Sequence, residues 1–180
     1  MAEYQDVRPR IKTGDMLLFR NHPGGGLRAV IERWFVEHGT ASPYVHIGMA
    51  WVSDGGLSVW VMDLTTKGCA PRLLSDCGDF DWAPAPRALS ADALRYAHRC
   101  FGEWQYSRVQ AVLGALKRLA IGADAYGQCA EFVLSVWGED DMQPTDTATP
   151  AACAAGALAN WGSALMTVKN PKIEGANIYA

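Results

Sequence analysis

Apart from one helical segment at 27–38, the apolar residues of this chain change from strand-like to helical spacing close to Ser90, and that change restricts the folds open to it. Before Ser90, short apolar runs end at Gly, Pro or Asp, which is typical of strands. A DGG turn follows the run at 44–52 and predicts a hairpin with the run at 57–64. After Ser90, apolar residues recur mainly at helical spacing. The order of strand, helix, strand meander and helices predicts an α+β fold in which a small antiparallel sheet packs with helices.

These patterns predict five strands and five helices. The strands are GDMLLFR (14–20), YVHIGMAWV (44–52), LSVWVMDL (57–64), GCAPRLL (68–74) and DFDWAP (79–84). The helices are LRAVIERWFVEH (27–38), SADALRYAHRCFG (90–102), SRVQAVLGALKRLA (107–120), CAEFVLSVWG (129–138) and TPAACAAGALAN (149–160). Ser90 and Thr149 are predicted N-caps, because their side-chain oxygens can accept an N–H of the first helical turn.

Length and charge favour one globular domain over residues 1–180. We predict a core at about 12–158 and a polar C-terminal tail at 161–180 that lies on the surface. The formal net charge is −3 and no block of like charge occurs, so neither nucleic acid nor an anionic membrane is an expected partner. The sequence has no run of about 18 apolar residues and no apolar segment near Met1, which predicts no membrane span, no signal peptide and synthesis in the cytoplasm.

The five cysteines are odd in number and form no CxxC pair. A disulfide framework or a zinc site is therefore not expected, and neither is another metal or a cofactor. Reduced thiols fit this pattern better.

Cys129 begins the predicted helix CAEFVLSVWG. A cysteine in the first turn of a helix lies at the positive end of the helix dipole, which favours a reactive thiolate. The alternative is a buried, inert cysteine that fills the core. This feature by itself does not decide between the two.

His46 lies inside the strongly apolar strand YVHIGMAWV. Strand alternation places it on the same face as Tyr44 and Gly48, and its ring nitrogens need partners there. A structural histidine with satisfied nitrogens is one interpretation. Gly48 favours the other, because a missing side chain leaves open space beside the imidazole for a substrate.

Asp63 follows His46 by 17 positions, near the end of the returning strand of the hairpin. From there its carboxylate could reach the second ring nitrogen of His46, fix the tautomer and stabilise the imidazolium. The alternative is a carboxylate that caps the strand end. A thiol at a helix start, a histidine and an acid on neighbouring strands together predict a thiol, base and orienting acid.

Six landmarks then occur in a familiar order, and together they span about 12–158. They are GDMLLF, SPYVHIGMA, VMDLTTKGCA, FGEWQY, CAEFV and TATPAAC. In this order the chain resembles the circularly permuted branch of the NlpC/p60 superfamily of papain-like cysteine hydrolases. That branch includes the lecithin-retinol-acyltransferase-like proteins and the bacterial YiiX/YebB-like hydrolases. The chain departs from the family pattern with Val45 where Ser is common and with Asp63 where Glu is common.

The resemblance implies a permuted papain-like fold and a role for each site residue. Cys129 is the implied nucleophile, His46 the general base and Asp63 the orienting acid. Tyr106 and its rival Tyr126 are candidate donors to the oxyanion, beside the backbone N–H of Cys129.

The resemblance also implies the reaction. A Cys-His-Asp hydrolase would cleave amide bonds, with a peptide or murein stem-peptide fragment as the substrate. Association with a larger assembly, such as a bacteriophage tail, would explain a murein enzyme without a signal peptide and would make it virion-associated or lysis-associated. The alternatives are a lipid-directed acyltransferase or amidase of the same fold, and a structural or adaptor component that retains the fold.

Overall fold

The computed structural model describes residues 1–20, 42–65, 67–106, 126–127 and 129–170. In this part of the chain, strands and helices combine as an α+β fold, which confirms the predicted class. The predicted helices at 27–38 and 107–120 lie outside the described residues.

The strands are β1 (Ala2–Glu3), β2 (Met16–Arg20), β3 (Tyr44–Val52), β4 (Val59–Thr65), β5 (Gly68–Leu73), β6 (Phe80–Ala83), β7 (Gln105–Tyr106), β8 (Tyr126–Gly127) and β9 (Met166–Lys169). The α-helices are α1 (Tyr4–Val7), α2 (Ala91–Cys100), α3 (Cys129–Gly138) and α4 (Pro150–Asn160).

Seven of these strands form one sheet, in the order β1-β9-β6-β2-β3-β4-β5. Neighbouring strands run antiparallel, except that β1 and β9 are parallel. Strand β3 pairs with β2 on one side and with β4 on the other. Strand β2 pairs with β3 at His46 itself, through Phe19, whereas the pairing with β4 begins at Met49.

The segment after α4 corrects one expectation. Residues 166–169 form β9 inside the sheet, between β1 and β6, and Val168 is fully buried. The prediction that the tail from residue 161 lies on the surface is therefore wrong for this segment, while residues 171–180 lie outside the described residues. Only two apolar residues alternate there, and two are too few to define a strand period.

Apolar side chains are buried on both faces of the sheet. One face packs against α2, α3 and α4, and the other is covered in part by the N-terminal segment, which buries Val7 and Ile11 before the predicted start of the core. Helix α3 packs on β3 and β4. The fully buried side chains of the helix face include Ile47, Met49, Met62, Leu64, Phe132, Val133, Val136 and Trp137.

Asp15, from the sequence GDMLLF, holds the start of β2 in place. Its side chain is fully buried and accepts hydrogen bonds from Trp82 Nε1 at 2.8 Å and from the backbone N–H groups of Lys12 and Ala85, each at 2.9 Å. Burial raises the pKa of Asp15, and these hydrogen bonds lower it in part. Hydrogen bonds of this kind offset the cost of burying a polar group.

The helix ends follow the predicted capping residues. Ser90 Oγ accepts the N–H of Ala93, and Thr149 Oγ1 accepts the N–H of Ala152, each at 3.1 Å. Both predicted N-caps are confirmed. None of the helices in the described ranges is long and apolar enough to cross a membrane.

Candidate active site

Cys129 is the first residue of α3, and the packing of that helix fixes its position. Phe132, Val133 and Trp137 of α3 are fully buried, and Cys129 is buried with them. The first-turn N–H groups of a helix have no partner within the helix, and they point toward its positive end. The thiol therefore lies where a thiolate or an oxyanion is stabilised.

His46 and Asp63 are in direct contact. His46 Nε2 lies 2.8 Å from Asp63 Oδ2. Strands β3 and β4 pair at Met49 and Met62, so the next residues in the same register are Gly48 and Asp63. His46 lies two residues from Gly48, on the same face of β3, and its ring therefore reaches Asp63. Asp63 is fully buried, whereas the His46 side chain is 22% exposed.

The thiol completes the arrangement. The side chain of Cys129 also interacts with His46, and this interaction raises the pKa of the imidazole. Because Asp63 already holds Nε2, the ring nitrogen left for the thiol is Nδ1. His46 therefore lies between the acid on β4 and the thiol of α3, so the structure brings Cys129, His46 and Asp63 together.

The charges in this arrangement favour an imidazolium. Burial lowers the pKa of His46, but the charge of a Cys129 thiolate and the hydrogen bonds with Asp63 and Cys129 raise it to about 10. Burial raises the pKa of Asp63, while the hydrogen bond and charge of His46, followed by those of Arg72, lower it overall. At neutral pH, Asp63 is therefore a carboxylate and His46 an imidazolium.

Arg72 is the member of the site that the sequence analysis missed. Its Nε donates to Asp63 Oδ1 at 3.3 Å, and its Nη2 donates to Oδ2, the oxygen that also contacts His46. No local sequence pattern marks it, because its place depends on the register of β4 and β5, which pairs Asp63 with Ala70. Arg72 then lies diagonally across from Asp63 on the same face.

Gly48 has a different role from the expected one. A Cβ at this position would lie 2.6 Å from Val61 Cγ1 and 3.1 Å from Asp63 Cβ. The space beside Gly48 is therefore filled by β4, and the expectation of open space for a substrate is wrong. The missing side chain instead lets Asp63 approach β3 closely.

We expect Gly48→Ala to lower the free energy of unfolding by about 1–3 kcal/mol, because the added methyl group overpacks the contact with Val61. Denaturant unfolding measures this loss. Gly138→Ala is the control, since its Cβ would meet the far end of the Gln143 side chain at 2.7 Å, which can rotate away. Equal stability of the two variants would contradict the close fit at Gly48.

The two tyrosines predicted as oxyanion donors lie on neighbouring strands. Strand β7 pairs in parallel with β8, with Tyr106 opposite Gly127 and Gln105 opposite Tyr126. Strand β8 ends two residues before Cys129. The backbone thus brings both tyrosines to the segment that leads into α3. Their side chains lie outside the described residues, and their roles stay predictions.

Three of the other four cysteines have thiols whose ionisation is suppressed by burial. All five are free and buried, and burial raises the pKa of Cys69, Cys100 and Cys153. A raised pKa keeps a thiol neutral and unreactive at neutral pH. Over the described residues, no group of three or more His, Cys, Asp or Glu side chains is placed to hold a metal ion.

Comparisons with known proteins add a distant similarity in fold. No protein-family model matches the chain, and no curated protein matches it significantly. Among solved structures, the chain is similar to the crystal structure of the metalloprotein yiiX from Escherichia coli O157:H7, with 15% sequence identity, a TM-score of 0.42 and coverage of 89% of each chain. At this identity and TM-score the likeness is distant, and the permuted papain-like topology stays a prediction.

Proposed function

We propose that this protein is a thiol hydrolase that cleaves amide bonds through an acyl-enzyme. One observation carries the proposal: the imidazole of His46 contacts Asp63 Oδ2 at 2.8 Å and is close enough to Cys129 for the thiol to raise its pKa. A nucleophile, a base and a group that orients the base are the parts that nucleophilic catalysis requires.

Each residue has one role in the proposed reaction. The Cys129 thiolate attacks the carbonyl carbon, and the N–H groups at the start of α3 stabilise the oxyanion. The imidazolium of His46 then protonates the leaving nitrogen, the C–N bond breaks and a thioester remains. Neutral His46 next accepts a proton from water, the resulting hydroxide attacks the thioester, and the thiolate leaves. Asp63 holds Nε2 throughout and stabilises the imidazolium.

We infer that the substrate is a murein stem peptide or a fragment of one, and that the protein serves a bacteriophage tail or a lysis system. The support for both is the resemblance to NlpC/p60-like hydrolases in the six sequence landmarks. Incubation with purified murein and mass spectrometry of the soluble products tests the substrate. New free amino groups at a stem-peptide bond support it, and unchanged murein contradicts it.

The thiol–imidazole pair can be tested without a substrate. We expect iodoacetamide to alkylate Cys129 faster at pH 7 in the wild type than in His46→Ala, by about tenfold or more, because the imidazolium stabilises the thiolate. Mass spectrometry of the intact protein and of its peptides measures the rate at each cysteine. Alkylation of Cys129 at equal rates in both proteins would contradict the proposed function.

We also expect His46 to titrate near pH 10, well above the usual value of about 6.5 for histidine. The charge of Cys129 is the largest cause of the rise, so Cys129→Ala should lower the midpoint. Turnover needs the protonated ring, and it should therefore fall as the pH rises through this midpoint. Nitrogen NMR of labelled histidine measures the titration. A midpoint near 6.5 in both proteins would refute the coupling.

A further inference from the structure

Asp63 contacts two cations, and only one of them belongs to the proposed thiol–base–acid set. On β3 its partner is His46, and on the edge strand β5 its partner is Arg72. The Arg72 side chain is 21% exposed, yet it reaches inward to a carboxylate that is fully buried. Two of its hydrogen bonds are to Asp63, and one of them is to the oxygen that faces His46.

We propose that Arg72 is a positioning residue of this site, which fixes the plane of the Asp63 carboxylate so that Oδ2 faces His46 Nε2. The proposal rests on the proposed hydrolase function and assigns the site a fourth residue. Arg72 does not touch the reacting atoms; it acts through Asp63 and His46.

The geometry of the guanidinium explains why an arginine suits this position. A carboxylate that faces a single imidazole can rotate about its Cβ–Cγ bond and present either oxygen. Nε and Nη2 of Arg72 occupy one oxygen each, and the planar fork of the guanidinium therefore restricts that rotation. Lysine would keep the charge but, as a single point donor, would not fix the plane.

The surrounding charges predict the direction in which the pKa of Asp63 moves when Arg72 is removed. Among the described residues, His46 on β3 and Arg72 on β5 contact Asp63, and Cys129 of α3 interacts with His46. Cys69 on β5 lies on the opposite face of the sheet, where the charge of Asp63 helps to raise its pKa. Arg72, Asp63 and His46 thus alternate in charge. Without Arg72, Asp63 would bind a proton at a higher pH, because a nearby positive charge lowers its pKa. His46 would then lose its anionic partner earlier as the pH falls.

Three arginine variants test the proposal. Arg72→Met removes the fork, Arg72→Lys keeps the charge, and Arg87→Met is the matched control. Arg87 also pairs with a buried carboxylate, that of Asp140 at 3.6 Å. Asp140 follows the C-terminal end of α3, whereas Cys129 is at the N-terminal end. The first readout is the rate of Cys129 alkylation against pH, with thermal unfolding recorded for each variant. The second is the downfield proton NMR signal of the His46 ring N–H that bonds Asp63.

We expect the acid limb of the alkylation profile to move up by about one pH unit in Arg72→Met, a loss of about tenfold at a fixed pH on that limb. Arg72→Lys should recover part of the loss, and Arg87→Met should keep the wild-type profile. The downfield signal should weaken or exchange faster in Arg72→Met.

A folded Arg72→Met protein with the wild-type profile and an unchanged downfield signal would overturn the proposal. If Arg72→Met does not fold, Arg72→Lys decides by the same two readouts. Failure of the proposed function is distinguishable, because it is seen as equal alkylation of wild type and His46→Ala. The downfield signal still reports in that case whether Arg72 holds Asp63 against His46.

Discussion

Cys129→Ala should lower turnover by at least about 10⁴-fold, because the variant keeps His46 and Asp63 but has no atom that can form the thioester. Cys129 is the first residue of α3 and interacts with His46. Mass spectrometry supplies both measurements: the products released from murein, and the intact mass of a protein trapped with its acyl group. Neither products nor an acylated protein should form.

Cys153→Ala is the matched control for this experiment. Cys153 is fully buried in the same core as Cys129, and the substitution removes the same atom. We expect a loss in stability of about 1 kcal/mol and turnover near that of the wild type. If both variants keep wild-type turnover, or both lose it equally, Cys129 is not the nucleophile. It is then a buried, inert cysteine that fills the core.

Local patterns predicted the parts of the site that depend on short stretches of sequence. The strand at 44–52 was predicted to the residue, since an apolar run ends at a turn of Asp and Gly. The hairpin that follows brings Asp63 to His46, as strand alternation and the turn together predict. The capping oxygen of Ser90 was predicted for the same reason: its partner lies three residues away.

Features that depend on partners far apart in sequence escaped prediction. A bulge at Phe19 and Arg20 shifts the register between β2 and β3, so strict alternation does not hold from Tyr44 to His46. Tyr44 packs instead in the core on the helix side of the sheet and donates to Asp81 at 2.6 Å. No local pattern in β3 signals this bulge, because it is set by how two strands meet.

The free volume beside a residue also cannot be predicted from one sequence. Gly48 suggested an opening, but the volume of a missing side chain can be filled by a neighbouring strand, here by Val61. The role of Arg72 was missed for a related reason. It becomes visible only when the register of β4 and β5 is known and the partners of Asp63 are counted.

Asp63→Asn should lower turnover by about 10³–10⁴-fold while the protein still folds, because an amide cannot hold His46 in the required state. In the wild type, each carboxylate oxygen of Asp63 accepts from Arg72. An asparagine has one oxygen and one NH₂ group, so either orientation sets an N–H of Arg72 against an N–H of the amide. When the NH₂ group faces His46 Nε2 it donates to that nitrogen, which moves the ring proton to Nδ1 and removes the base that Cys129 needs. Steady-state release of murein fragments measures the loss.

Asp81→Asn separates this effect from a loss of stability. Asp81 is buried in the same sheet, and its Oδ2 accepts from Arg20 at 2.7 Å and from Tyr44 at 2.6 Å. Each substitution weakens the pairing of a buried carboxylate with an arginine, so both aspartate variants should unfold earlier than the wild type. Assayed well below both unfolding temperatures, Asp81→Asn should keep its turnover and Asp63→Asn should not. Equal losses in the two variants would mean that Asp63 supports the sheet and not the chemistry of His46.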